Sequence, residues 1–191
     1  GLAVDPLSGD LFFTGDCFGG LEDPVVHRIR DPESASPTLE NYATLSATPS
    51  GVIAFAPNGT LYVATQYTAT NPPVVRIAGT DKPSPTQTVV AGVSSIFWVT
   101  VGAADAAGEA TALLGLTSKP GGGTALEYFD LTTDPPTTTT IATNLAPGPI
   151  GPDGCLYLCA EKQPPTIIAV DPETLQIRRT WEVDPTFGGQ V

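Results

Sequence analysis

Acidic side chains gather near the start of the chain, between residues 15 and 24. Asp16, Glu22 and Asp23 lie in this segment, and Glu161 is a further carboxylate far along the chain that folding could bring close to them. Ca²⁺ binds carboxylate oxygens in proteins, so these four residues are the candidate metal ligands and calcium is the candidate ion. The segment lacks the regular spacing of a calcium-binding loop, which favours a solvated acidic loop over a metal site.

The three cysteines are Cys17, Cys155 and Cys159. Cys155 and Cys159 lie on one predicted strand, about 13 Å apart at the usual rise per residue, which is too far for a disulfide. Cys17 follows the second strand of the first predicted unit, and Cys159 ends the second strand of the fourth. We therefore predict a Cys17–Cys159 disulfide if those units meet, within a ring or between chains. The alternative is three buried thiols, and the lack of a nearby histidine or second cysteine pair argues against zinc.

His27 is the only histidine of the chain. A serine nucleophile would need a base, but the sequence has no Gly-x-Ser-x-Gly motif to supply the serine. The position of His27 between Val26 and Arg28 favours a half-exposed histidine on a strand over a catalytic one.

Asn58-Gly59-Thr60 matches the acceptor tripeptide for N-linked glycosylation, so Asn58 is the candidate glycosylation site. The same residues also fit a tight hairpin turn of type I′, which explains them without a sugar.

Composition and charge exclude several classes of protein. The chain has 191 residues with 20 acidic against 8 basic side chains, which gives a net charge of −12. Such a surface repels phosphate backbones, so we exclude nucleic-acid binding, and anionic membrane surfaces are disfavoured for the same reason. The longest apolar runs are only strand-sized, and the sequence therefore predicts no membrane span.

Glycine and proline indicate the fold class. Each occurs 20 times, and a helical protein does not tolerate this density because proline removes a hydrogen-bond donor and glycine lowers helix stability. Many short strands joined by tight turns do tolerate it. The composition predicts an all-β protein.

One hairpin pattern recurs along the chain. An apolar strand, a turn with proline, glycine and Asp or Asn, and an aromatic-rich strand appear in 1–14, 51–64 and 148–159, and a second hairpin follows each time. The turns Asn58-Gly59 and Asp153-Gly154 suit two-residue hairpins, and 92–145 divides into four strands by pattern alone. The period of roughly 45 residues predicts four four-stranded β-propeller blades, approximately 1–46, 47–91, 92–145 and 146–187. A β-sandwich is the alternative.

The repeats resemble known propeller families. Gly1-Leu-Ala-Val-Asp-Pro with Gly9-Asp-Leu-Phe-Phe-Thr resembles an NHL or YWTD-type blade. Leu156-Tyr-Leu with Ile168-Ala-Val-Asp-Pro-Glu-Thr resembles a YVTN-type blade. The resemblance implies a secreted or cell-surface protein, hence extracellular localisation. Such families usually close with six or seven blades, so four blades imply a small ring, a half-ring or part of a larger propeller.

Two functions follow from this organisation. The first is an extracellular structural or interaction module, without enzymatic activity, which self-associates or joins a larger protein assembly through its apolar blade faces. The alternative is a metal-dependent lactonase-like hydrolase or lyase with a calcium-like ion in the channel. The predicted inner strands offer no convergent polar groups for a catalytic channel, which favours the first hypothesis.

Overall fold

The computed structural model describes residues 1–14, 24–65, 73–82, 85–94, 96–119, 122–146, 148, 150–160 and 165–183. These residues form four separate antiparallel sheets of four strands each, and no helix occurs among them. Each sheet is a meander in which consecutive strands are neighbours. The all-β, propeller-like prediction of four four-stranded blades is confirmed.

The strands follow one another in chain order. The first sheet contains β1 (Leu2–Val4), β2 (Leu11–Thr14), β3 (Val25–Arg30) and β4 (Thr38–Thr44), and the second contains β5 (Pro49–Phe55), β6 (Leu61–Thr65), β7 (Pro73–Ala78) and β8 (Thr86–Ser94). The third contains β9 (Ile96–Ala104), β10 (Ala110–Ser118), β11 (Thr124–Asp130) and β12 (Thr137–Thr143), and the fourth contains β13 (Leu145–Ala146), β14 (Leu156–Ala160), β15 (Thr166–Val170) and β16 (Ile177–Glu182).

The innermost strand of the fourth sheet differs from the prediction. The recurring pattern placed it at the start of 148–159, but the strand is Leu145–Ala146, and Ile150 adds an isolated bridge to Leu156. Leu145 is 3% exposed and packs into the core against the third sheet. Burial of this leucine explains why pairing begins earlier than the glycine and proline pattern indicated.

Three apolar clusters hold the sheets in a row. The first joins sheets one and two, the second joins sheets two and three, and the third joins sheets three and four. In the middle of the row both faces of a strand are buried, as in β6, where Leu61 and Val63 pack towards sheet one while Tyr62 and Ala64 pack towards sheet three. Among the described residues no such cluster joins sheet four back to sheet one.

The tight turns between the first two strands of sheets two, three and four share one geometry, whereas the turn of sheet one, from Asp5 to Asp10, is one residue longer. In the second sheet Gly59 N donates to Ala56 O and Ala56 N donates to Thr60 O, so three residues form the loop. Only Gly59 has a positive φ, of 78°. The type I′ prediction is therefore wrong: Asn58 keeps a negative φ because its side-chain oxygen accepts a hydrogen bond from Thr60 N, and glycine alone occupies the left-handed region. The turn ending at Gly154 repeats this arrangement.

Candidate interaction faces

Most of the predicted metal and disulfide residues lie outside the described part of the chain. These are Asp16, Cys17, Glu22, Asp23 and Glu161. Within the described ranges, no three His, Cys, Asp or Glu side chains come together in a group that could hold a metal ion. The calcium site stays a prediction.

The two described cysteines differ in exposure. Cys155, directly before the strand β14, is buried, whereas Cys159, near the end of that strand, is exposed, and neither forms a disulfide with another described residue. Because Cys17 is not described, its disulfide with Cys159 stays a prediction.

Asn58 is half-buried, and both polar atoms of its side chain are engaged. Its Nδ2 donates to Glu109 Oε2 at 2.8 Å and its Oδ1 accepts from Thr60 N at 3.1 Å. The residue thus connects the turn of sheet two to sheet three. Glycosylation of Asn58, like the extracellular localisation, stays a prediction.

Glu109 forms a polar cluster between sheets two and three that the sequence analysis missed. Its carboxylate accepts two hydrogen bonds from Arg76, at 3.1 and 2.9 Å, and one from the Tyr62 hydroxyl at 3.1 Å, in addition to the bond from Asn58. We call Asn58, Tyr62, Arg76 and Glu109 the Glu109 cluster. Three of its members belong to sheet two or its turn and one to sheet three, so it ties the two sheets together.

The pKa values of Glu109 and Tyr62 suit a structural link between the two sheets. Burial raises the pKa of Glu109, but the hydrogen bonds from Arg76 and Asn58 and the charge of Arg76 outweigh this, so the pKa lies below its ordinary value. Burial, together with the adjacent carboxylate, raises the pKa of Tyr62 to about 12. The phenol stays neutral at physiological pH and the carboxylate is saturated with donors. This arrangement stabilises a junction and offers no free general base.

Arg28 has a similar position between sheets one and two. It is 3% exposed, its Nη1 donates to Thr80 O of sheet two at 2.7 Å, and it pairs with Glu40 on its own sheet. Its guanidinium lies 4.7 Å from the centre of the Tyr42 ring. An arginine on the third strand therefore reaches the next sheet at two successive junctions, since half-buried Arg76 bonds to Glu109 of sheet three.

A cleft of about 330 Å³ opens beside the Glu109 cluster at the outer side of the junction. Its walls include Val89 and Val90 of β8 and Leu131 and Pro136 of sheet three. Tyr62, Arg76 and Glu109, which line it, belong to the Glu109 cluster and are already paired, and Asp134 is the other titratable lining residue. One carboxylate beside these paired groups does not form the convergent set that marks a catalytic pocket.

The free face of sheet one, the first end face, is apolar. Cross-strand register places ten strand residues on it, namely Leu2, Val4, Leu11, Phe13, Val25, His27, Ile29, Leu39, Asn41 and Thr44. Leu2, Val4 and Leu39 are 69%, 57% and 64% exposed. His27 is half-buried here, stacks on Phe13 with ring centroids 4.9 Å apart, and has its Nδ1 3.1 Å from Asn41 Oδ1.

The free face of sheet four, the last end face, is apolar as well. Its strand residues are Ala146, Tyr157, Cys159, Ile167, Ala169, Arg179 and Trp181. Tyr157 and Trp181 stack with centroids 6.0 Å apart, and Ile167 and Trp181 are 38% and 39% exposed. Neither end face carries an acidic residue at a strand position, although the chain has 20.

Positions equivalent to those of the last end face are buried inside the row. Val26, Val74 and Ile167 each pair with the last or next-to-last residue of the second strand of their sheet. Val26 and Val74 are 0% exposed because the next sheet covers them, whereas Ile167 is 38% exposed. Tyr62 and Tyr157 are likewise equivalent, and Tyr62 is only 1% exposed.

The same relation holds at the first end face. Ile29 pairs with the first residue of the second strand of its sheet, as do Ile77 and Val170 in sheets two and four. Ile77 and Val170 are 0% exposed because the preceding sheet covers them, but Ile29 is only half-buried. Both end faces therefore have the composition of an inter-sheet junction without the neighbouring sheet.

Comparison with solved structures supports the fold. The chain is similar to the crystal structure of a putative 6-phosphogluconolactonase from Bacteroides uniformis, with a TM-score of 0.53 and 17% sequence identity over 96% of this chain. At this identity the likeness shows the propeller-type fold alone. No family model and no curated protein matches the sequence, so the resemblance to NHL, YWTD and YVTN repeats stays a prediction.

The chain spans about half the length of that structure, because the match covers 54% of the other chain. Four sheets over 54% of its length correspond to about seven sheets over the whole, if the sheets are similar in size. Four sheets are thus about half of such a propeller. No helix of the described residues has the length and hydrophobicity that a membrane crossing requires.

Proposed function

We propose that this protein is an interaction module, which associates with further β-propeller blades through its first and last end faces. The observation that supports this most directly is the burial of equivalent positions. Val26 and Val74 are fully covered within the row, whereas Ile167 is 38% exposed on the last end face. Contiguous exposed apolar surface of this kind is typical of an interaction site.

Charge also favours these faces over the rest of the surface. The chain carries a net charge of −12, and like charges oppose the approach of another acidic protein. The strand positions of the end faces carry no carboxylate; their basic residues are His27 and Arg179, and their other titratable side chains are Tyr157 and Cys159. A sheet can therefore approach either end face without burying an unpaired acid, which would be costly.

Particle mass measured by light scattering at micromolar concentrations tests the proposal. We expect a mass above the 19.7 kDa of one chain, which returns to that value when Val4 and Ile167 are both replaced by aspartate. Val89→Asp is the matched control, because Val89 is 59% exposed but lies on the outer strand of sheet two. A monomer at all concentrations, or an assembly that the double variant leaves intact, would refute the proposal.

The second candidate is a propeller hydrolase of the lactonase type that uses a divalent cation. Its support is the fold shared with the structure named 6-phosphogluconolactonase and the acidic residues Asp16, Glu22, Asp23 and Glu161. Hydrolysis of 6-phosphogluconolactone, followed by acid release with and without added Ca²⁺, tests it. Accelerated hydrolysis together with one tightly bound divalent ion per chain would favour the enzyme, and the rate of buffer alone would argue against it.

A further inference from the structure

We infer that the partner is a second copy of this chain, and that the two copies join head to tail: the first end face of each packs on the last end face of the other. The product is a closed ring of eight four-stranded sheets, related by a two-fold axis along the ring axis. This inference rests on the proposed function, because it specifies what covers the two end faces.

The direction of packing within the row supports head-to-tail joining. At each of the three internal junctions, the face of one sheet that carries Phe12, Tyr62 or their equivalents packs on the opposite kind of face of the next sheet. The last end face carries Tyr157 and is of the first kind. The first end face carries Leu11 and Phe13, the equivalents of Leu61 and Val63, and is of the second kind. Joining the two continues an interface that the chain already makes three times.

A head-to-head arrangement would instead pair two faces of the same kind. It would bury both copies of Arg179 in one interface at the last end face, or both copies of His27 in one interface at the first. Head-to-tail joining places each aromatic pair, Tyr157 with Trp181 and Phe13 with His27, on opposite sides of the junction. Offset aromatic contacts are favourable in such a junction.

The contact area suits a stable dimer. Four strands of about five residues cover roughly 16 Å by 19 Å, or about 300 Å² per end face, at standard strand rise and spacing. Closure buries four such faces, which gives about 1,200 Å² in total and reaches the range of specific protein interfaces. Eight sheets also lie within the usual range of β-propeller blade numbers. A single open junction would bury only half of this area, so closure favours two copies over a longer row.

Two single-face variants and their mixture test the inference. We expect the wild-type mass to be twice 19.7 kDa. Val4→Asp blocks the first end face and Ile167→Asp blocks the last, and each alone should weaken the dimer by at least about 100-fold, because each junction of the ring needs one face of each kind. Leu39→Glu and Arg179→Glu are second variants of the same two faces at exposed positions, and Val89→Asp is the control.

The mixture of the two blocked variants distinguishes the arrangements. Head-to-tail joining predicts a 1:1 heterodimer of Val4→Asp and Ile167→Asp, because one junction of intact faces remains between them. If only one of the two variants dissociates, the copies join through faces of the same kind, and the ring is wrong while the proposed function stands. A mass that grows with concentration beyond two chains would overturn closure in the same way. A monomeric wild type, or a dimer unaffected by either variant, would overturn both.

Discussion

Replacing Glu109 by alanine should destabilise the protein by about 2 kcal/mol. The carboxylate accepts hydrogen bonds from Arg76, Tyr62 and Asn58, and its removal leaves these donors of sheet two without their partner in sheet three. Breaking a fully buried ion pair costs about 3–5 kcal/mol, whereas an exposed pair contributes about 0–1 kcal/mol. The side chains of Arg76 and Glu109 are 31% and 34% exposed, so water compensates part of the loss and an intermediate value follows.

Urea unfolding followed by far-ultraviolet circular dichroism measures this effect. A loss of about 2 kcal/mol is roughly a thirtyfold change in the unfolding equilibrium constant, well outside experimental error. The same substitution in an Arg76→Met background should cost less, by at least about 1 kcal/mol, because the charged partner is already absent. Glu173→Ala is the control, since Glu173 is exposed in a turn of sheet four.

The stability difference between wild type and Glu109→Gln should depend on pH. The folded-state pKa of Glu109 lies below its ordinary value, so the ionised carboxylate stabilises the fold above the unfolded-state pKa of about 4.5. This contribution is lost as pH falls through the lower folded-state pKa. The difference should therefore be constant near pH 7 and shrink below pH 4.5. An alanine variant within 0.5 kcal/mol of wild type, or a difference that does not change with pH, would show that the cluster is not a structural link.

Three further predictions concern the junctions. Gly108→Ala should destabilise the protein by at least about 1 kcal/mol more than Gly9→Ala in urea unfolding. Both glycines have a positive φ, but only a Cβ at Gly108 would meet a neighbouring turn, at 2.9 Å from Asn58 N. Thr117→Val should stabilise the protein by about 1 kcal/mol in the same assay, since within the described structure the buried Thr117 hydroxyl has no partner. Thr80→Val should destabilise it by a similar amount, because the Thr80 hydroxyl donates to Asp5 of sheet one and to Gly59 O in the turn between β5 and β6. Raising the NaCl concentration from about 0.1 to 1 M should lower the dissociation constant of the dimer at least severalfold in sedimentation experiments, because salt screens the repulsion between two chains of charge −12. A higher dissociation constant at 1 M NaCl would show that ion pairs hold the copies together.

The sheets could be predicted from the sequence because their signals are local. The stretch Leu61-Tyr-Val-Ala is apolar on both faces, as a strand between two sheets must be, and all of its residues are buried. Gly59 and Gly154 marked the turns, and each has a positive φ. The glycine positions alone did not predict the exact turn type, because it depends on one side-chain hydrogen bond, from Thr60 N to Asn58 Oδ1.

The polar links between sheets could not be predicted in the same way. Asn58 and Glu109 are 51 positions apart, and the local sequence around either residue does not indicate that the other is its partner. A signal existed, however, in the apolar third strands, where Arg28 and Arg76 each interrupt a valine-rich run. A charged residue within a buried strand requires a partner, so these two positions indicated ion pairs without identifying the acids. The acid is Glu40 of the same sheet for Arg28 and Glu109 of the next sheet for Arg76.

Proteins built from stacked repeats usually protect their terminal repeats with a polar outer face, because an uncovered repeat otherwise exposes the apolar residues that stacking should bury. Neither end sheet here has such protection: Leu2 and Val4 remain exposed at one end and Ile167 and Trp181 at the other. Substitutions that made these positions polar would leave the internal clusters unchanged, so folding of the row does not require the apolar residues there. A sheet that covers them, as we propose, would account for the exposed apolar residues on both end faces.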